Sequence, residues 1–458
     1  MVYRSAVRTG IMATIAHLAG SITYQNRYQE RALKASDSTL GSLNWLNFAI
    51  AGMQAGFGPF VSVRLTASGW DAGTIGLVLS AGAIGSVVAQ VPSGMLIDRF
   101  GARRAMAAPA ILGSMAALLM LSLAPGFLLV LGAEVAQGAC GVGLSLAVAA
   151  LTLSVSRQER LGERFGRNVR YAAIGAALGT AVFGTAGSLI SPTAPFLLAA
   201  ALGVPALLAL GGIHATDIAT ADGRTGHHTA PPPRARRTPP VALRALLADR
   251  RLLALLGCVA LFQLANASLL PLAATEFARR AGSRADLVTA AAVIGPQLLA
   301  AVLSPHVGIA AQTHGRRLIL MLGLAAVPLR ALAFAFSSAI PAMLAVQLLD
   351  ALDAAVIGTL IPLIVADITH RGGRFNFALG LTGLASSLGA SLSTTASGSI
   401  AVFAGLPIAF LTLAAAGFGA VLLVWFLLPE TVHLPAELPA APDGGHHNIA
   451  VSVTERSS

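Results

Sequence analysis

Gly94-Met95-Leu96-Ile97-Asp98-Arg99-Phe100-Gly101-Ala102-Arg103-Arg104 is a charged stretch set between two apolar runs. Neither residues 73–94 nor residues 105–124 contain an ionisable side chain. As helices of about 20 residues, such runs each cross roughly 30 Å of hydrocarbon. The stretch therefore reads as a hairpin joining two membrane helices, with glycines that permit a tight reversal. Arg99, Arg103 and Arg104 predict that it stays on the cytoplasmic side, because loops rich in arginine are retained there.

Gly94, Leu96, Asp98, Arg99, Gly101 and Arg103 fall at the positions of a pattern G-x-L-x-D-R-x-G-R-R. In this the sequence resembles the major facilitator superfamily, whose loop between the second and third helices carries that pattern; Ala102 stands where a basic residue is usual. The resemblance implies an all-α membrane protein of twelve transmembrane helices in two pseudo-symmetric six-helix bundles. It also implies that Asp98 lies near the start of helix 11, and that Gly94, Asp98, Arg99, Gly101, Arg103 and Arg104 form a gating motif.

Composition points the same way. Over 458 residues, 55% are hydrophobic and 11% charged, with a mean hydropathy of +0.76, which is foreign to soluble globular chains. The net charge of +11 does not suggest a nucleic-acid surface, because the arginines sit in short loops between apolar runs and form no basic, aromatic-laced face. Cys140 and Cys258 both lie inside apolar runs and read as packing residues. No nucleotide-binding glycine loop, metal-ligand cluster or nucleophile motif occurs, so neither cofactor, metal nor enzymatic activity is expected.

Along the chain, residues 1–38 read as a cytoplasmic extension whose apolar patch, Ile11 to Ile22, is too short to span. Six spans are expected within 39–213, at about 40–63, 73–96, 105–124, 126–153, 169–190 and 194–213. Residues 214–250, with His227-His228, Pro231 to Pro233 and Arg234, Arg236 and Arg237, form a polar, proline-rich linker. Six further spans are expected within 251–428, at about 252–275, 286–307, 318–337, 341–366, 376–402 and 406–428, before a polar tail at 429–458. With both termini cytoplasmic, the inner segments hold Arg157, Arg160, Arg164, Arg167, Arg170, Arg316, Arg317, Arg371 and Arg374 besides the hairpin and linker arginines. The outer loops hold only Arg64, Arg279, Arg280 and Arg284. That bias predicts a multi-pass protein with both termini cytoplasmic, and the resemblance implies a bacterial inner membrane.

The two halves also match each other. Gly94 to Gly101 recurs as Gly308 to Gly315, followed by Arg316-Arg317; Gln54 with Pro59 recurs as Asn266 with Pro271; Arg164-Phe165 with Gly179 recurs as Arg374-Phe375 with Gly389. A parallel repeat at an offset of about 210–214 residues supports two halves rocking around a site near the bilayer midplane.

Ionisable residues inside spans are costly and mark function or pairing. Four stand out: Glu134 in helix 4, Arg330 in helix 9, and Asp350 and Asp353 in helix 10. Where the superfamily usually places arginine, three residues before Gln137-Gly138, this chain has Glu134. A desolvated glutamate can carry a proton; alternatively it is hydrogen-bonded to Gln137 or a neighbouring helix and never titrates. Asp350 and Asp353 share one helical face, and two carboxylates that close disfavour joint ionisation. One is expected to pair with Arg330 as a buried salt bridge, leaving the other for substrate or proton. Gln54, Gln263 and Asn266 stand near Pro59 or Pro271 and suit a cavity wall, or else hydrogen bonds between helices. Helix 5 carries Gly175, Gly179, Gly184 and Gly187, but Thr180 follows Gly179 where the superfamily's antiporter signature has proline.

The expected function is alternating-access movement of a small organic solute, with proton-coupled efflux ahead of proton-coupled or facilitated uptake. A receptor or scaffold without transport is the alternative from another class. The expected partners are the solute, the lipid bilayer and protons, with the chain acting as a monomer and no nucleic acid bound.

Overall fold

The computed structural model describes residues 37–100, 103–123, 126–156, 158–213, 247–281, 285–337, 339–369 and 374–431. Most of the N-terminal extension, the linker with His227 and His228, the tail from 432, and Gly101 and Ala102 lie outside the described residues. Among those described, every regular element is helical. In chain order, α1 covers 37–54 and resumes as Pro59–Ala67. It is followed by α2 (Ala72–Phe100), α3 (Arg103–Ser122), α4 (Phe127–Val155) and α5 (Leu161–Leu189). The two pieces Ala194–Ala201 and Gly203–Gly211 make α6, and Arg250–Asn266 with Leu269–Ala281 make α7. Next come α8 (Ala285–Thr313), α9 (Arg316–Phe336), α10 (Ile340–Gln347 and Asp350–Thr369), α11 (Phe375–Ala404) and α12 (Leu406–Leu427).

Among the described residues, eleven helices are long and apolar enough to cross a bilayer. The first span, α1, is not among them; it is interrupted at residues 55–58, and its first piece carries Asp37, Asn44, Asn47 and Gln54. The side chains exposed around the molecule include Leu128, Val402, Phe403 and Phe426, an apolar surface that belongs against lipid and not water.

Four helices are broken, for different reasons. In α1 the chain leaves the helix after Gln54, passes Gly58 at φ 70°, where a side chain would be strained, and restarts with Pro59 at its head. In α7 the break follows Asn266, with Pro271 in the first turn of the second piece. Pro205 near the start of the second piece of α6 cannot donate to the preceding turn. In α10 no proline stands at the break. There the amides of Leu348 and Leu349 bond three residues back, to Ala345 (3.3 Å) and Val346 (3.0 Å), which tightens the chain before Asp350.

The expected hairpin is shorter than its glycines suggested. α2 continues to Phe100 and α3 begins at Arg103, so Gly94 lies within a helix and not in a turn. Gly94 has a different use: a Cβ there would run into the carbonyl oxygen of Asn376 and the Cα of Phe377 on α11. Likewise α5 starts at Leu161 and not near 169, which places Arg164, Arg167 and Arg170 on helix and not in a loop. Each has an anchor: Arg164 Nη2 donates to Asn44 Oδ1 of α1 (2.7 Å), Arg167 pairs with Glu163 (2.6 Å), and Arg170 Nε donates to the Ala301 carbonyl of α8 (2.8 Å).

Buried apolar side chains form two cores. One is built from residues between Leu43 and Ile213. The other is built from Leu252 to Leu428 together with Leu161 and Phe165 from the start of α5, which thus reaches across to the second half. The halves meet chiefly through α2 against α11 and α5 against α8. The repeat-related glycines sit at both contacts. Gly94 closes on Asn376, and Gly308 closes on the backbone of Gly162.

Candidate functional site

A cavity of about 810 Å³ lies between the two halves. Its polar wall comes from the first half: Asn47 and Gln54 of α1, Gln90 of α2, Glu134 and Gln137 of α4, and Asn168 of α5. The second half presents Val259, Ile357, Ile361, Pro362 and Leu379, with Thr382 and Ser386 as its hydroxyls. Among the described residues that line it, Glu134 is the one ionisable side chain.

Glu134 is 7% exposed. Its Oε2 lies against Gly82 of α2, whose missing Cβ makes the room. Its Oε1 is buried and has no hydrogen-bond partner among the described residues, and the same holds for Oε1 of Gln137, three residues on along the same helix face. The hydrogen bond between Glu134 and Gln137 that the sequence allowed is therefore not made. The amides of Gln137 and Gln54 both approach Gly141.

The other residues anticipated for the cavity are placed elsewhere. Gln263 stands behind the wall, with Nε2 donating to Ser386 Oγ (2.7 Å). Arg330, Asp350, Asp353 and Asn266 gather inside the second half and do not line the cavity. Arg330, 1% exposed, pairs with Asp350, lies 3.6 Å from Asp353 Oδ2 through Nη2, and donates from Nη2 to Asn266 Oδ1. The expectation of one free aspartate facing the cavity is corrected: α10 turns both toward α9 and shows the cavity Ile357, Ile361 and Pro362 instead. The break in α10 helps to hold them, since both aspartates stand in the first turn of its second piece, where the helix dipole favours carboxylates.

On the hairpin side, Asp98 reaches the start of α11 as the resemblance implied. Its Oδ1 accepts from the Asn376 backbone N–H (3.1 Å) and from Asn376 Nδ2 (2.7 Å), and its Oδ2 accepts from the Phe377 N–H (2.8 Å). A carboxylate thus satisfies amides at a helix start that have no partner within the helix. Nearby, Gly380 and Gly383 let α11 pack on Gln90. Arg99 lies over the ring of Phe100 (5.8 Å), Arg103 opens α3, and Arg104 Nη2 donates to the Gly211 carbonyl (3.4 Å). Gly101 is outside the described residues.

The equivalent position in the second half is Gln312, not an acid, and its side chain packs where a Cβ on Gly162 would point. The second-half acid Glu430 instead accepts from the backbone N–H groups of Arg316 (2.9 Å) and Arg317 (3.1 Å), capping α9, while Arg316 pairs with Asp367. Sequence reading missed Asn376, Gln90 and Asn168. Gln90 is the sole amide side chain of α2, and an amide in an otherwise apolar span is itself a signal, since it must face a partner or a wet cavity, whereas Asn168 stands among Arg164, Arg167 and Arg170 just before the expected span and carries no such mark.

The sequence model of the Major Facilitator Superfamily matches residues 43–294 and, a second time, residues 253–455. A protein of Mycobacterium tuberculosis described as an uncharacterized MFS-type transporter, present in two strains, is 32% identical over 412 residues, covering 88% of this chain and 96% of the relative. With these matches and the fold just described, the chain is a membrane transporter that belongs to the major facilitator superfamily.

Proposed function

We propose that the protein moves a small organic solute by alternating access, in exchange for protons and outward across a bacterial inner membrane, as a monomer with both termini in the cytoplasm. The observation that carries this reading is the single unpartnered carboxylate of Glu134 in a cavity lying between two halves. Such a group can hold a proton in one open state and release it in the other as the wall around it wets and dries. The Asp98 cap and the Gly162–Gly308 contact close the hairpin side, which the arginine bias assigns to the cytoplasm. On that assignment the cavity's way out faces away from the cytoplasm.

Proton-coupled uptake is the second reading, favoured by Thr180 in place of the proline of the antiporter signature. A screen of solutes in proteoliposomes, with and without an imposed pH gradient, tests both. Export is expected for at least one solute, dependent on the gradient and absent in Glu134→Gln. Uptake with the gradient selects the second reading; movement indifferent to the gradient rejects coupling, and no movement with any solute favours a receptor or scaffold.

A further inference from the structure

The cavity wall bears on the chemistry of the solute. Among the described residues it offers three buried oxygens without donors of their own: one of the Glu134 carboxylate, the amide oxygen of Gln137 one turn along α4, and the amide oxygen of Asn168 on α5. Among the described residues, no arginine or lysine lines it. An anionic or zwitterionic solute would bring its carboxylate to a wall with no cation to meet it, and would add a second negative charge near Glu134. A neutral solute would leave the Glu134 charge uncompensated. A cation repairs both deficits, since a buried carboxylate without a partner is costly and charge-assisted hydrogen bonds are the strong ones.

Two features narrow the cation. The unpartnered atoms are acceptors, so the ligand must bring N–H donors, which a quaternary ammonium lacks. Quaternary ammonium groups are held by aromatic faces, and among the described lining residues Phe165 is the sole aromatic. The opposite wall is apolar, from Val259, Ile357, Ile361, Pro362 and Leu379, and the volume is in the range of sites for drug-sized molecules. Resting on the transport reading above, we propose that the solute is an amphiphilic protonated amine whose N–H groups donate to Glu134 Oε1 and Gln137 Oε1 while its apolar body lies on α10 and α11.

The test is equilibrium binding to the purified full chain in detergent, with a matched panel of probes: phenylbutylamine, its trimethylammonium analogue, phenylbutanol and phenylbutyrate. The amine is expected to bind at least about tenfold more tightly than each of the others, the scale of one charge-assisted hydrogen bond. Glu134→Gln should bring the amine down to the level of the alcohol. Should that variant not fold, Glu134→Asp, which keeps the charge on a shorter stem, should weaken the amine while keeping it ahead of the alcohol. Gln137→Leu should narrow the gap between the amine and its trimethylammonium analogue. Preference for the carboxylate, for the alcohol or for the quaternary analogue, equal binding of all four, no binding of any, or an amine affinity unchanged in Glu134→Gln overturns the proposal.

Binding in detergent does not require transport, so the two readings fail separately. Spin labels on the two halves whose distance never changes would reject alternating access while leaving amine binding standing. Halves that do exchange in a protein blind to the amine would reject the substrate class alone.

Discussion

Asp98 ties the end of α2 to the start of α11 through a single side chain. Both of its oxygens accept from amides at the start of α11, and Asn376 adds a third donor. In Asp98→Asn one oxygen becomes an NH₂ group that must face an N–H, so donor opposes donor. Losing one charge-assisted bond and leaving an amide unpaired costs about 1–3 kcal/mol, all of it from the closed state. Pulsed spin-label distances between α2 and α11 on the hairpin side should lengthen in a large fraction of Asp98→Asn molecules; a distribution like that of the native protein would contradict the latch. The sequence made Asp98 legible because its neighbours follow a known pattern. It did not reveal Asn376, whose importance arises only when α11 is brought to α2. Arg330 was half legible in the same way. Its need for a partner followed from its place in an apolar span, but which aspartate it takes depends on the rotation of α10, and the answer is that it faces both. Arg330→Met leaves the buried Asp353 and the half-buried Asp350 without their cation, and breaking a buried pair in this way costs about 3–5 kcal/mol. The fraction of folded protein after membrane extraction should fall sharply in Arg330→Met and much less in Asp353→Asn, which keeps the Asp350 pair; equal recovery of both variants would mean the cluster contributes no stability.

Among the helices, the breaks in α1 and α7 were visible in Pro59 and Pro271, because a ring without an N–H announces itself in any sequence. The break in α10 was not. Leu348 and Leu349 carry no such mark, and the tight turn coincides with two acids gathered around Arg330, a tertiary cause. Gly94 was misread for the converse reason: glycine permits both a reversal and a close approach, and only the neighbouring helix decides between them. Its repeat partner Gly308 has the same use, since Gly308 and Gly162 touch backbone to backbone where α8 crosses α5. Gly308→Val would force that crossing apart, and overpacking of this kind costs about 1–3 kcal/mol. The hairpin side should then open without any change at Asp98. In a background lacking Cys140 and Cys258, alkylation of Ser145→Cys on the cavity wall by an impermeant reagent applied to the hairpin face should speed up several-fold. Because α2–α11 and α5–α8 are separate contacts, the effect should add to that of Asp98→Asn. No change in alkylation would show that α5 and α8 do not form part of the closure.

For the whole molecule, the internal repeat was the most legible feature, since symmetry writes the same spacing twice: Gly94 with Gly308, Gln54 with Asn266. What the repeat could not reveal is how unequal the halves are in charge. The first half gives the cavity its carboxylate and its amides, while the second half keeps Asp350 and Asp353 around Arg330 and gives mostly apolar side chains. That inequality has a consequence for energetics. If Glu134 is the one ionisable group in the path, each passage of the carboxylate through the occluded state is neutralised either by a proton or by a protonated amine, never by both. One cation then leaves for each proton that enters, and no net charge crosses the membrane. Exchange should therefore follow the pH gradient and ignore the electrical potential. If one net charge did move per cycle, an added potential of about 100 mV would supply about 2.3 kcal/mol and raise the limiting concentration ratio about fiftyfold. Proteoliposomes carrying a fixed pH gradient, with the potential set by potassium and valinomycin, separate these cases. The limiting amine ratio should be the same at zero potential and at about 100 mV of either sign. A ratio that climbs with potential would mean that a second charge travels with the cycle, and the Arg330 cluster, which here touches α7 through Asn266, would have to open to the cavity in the other state.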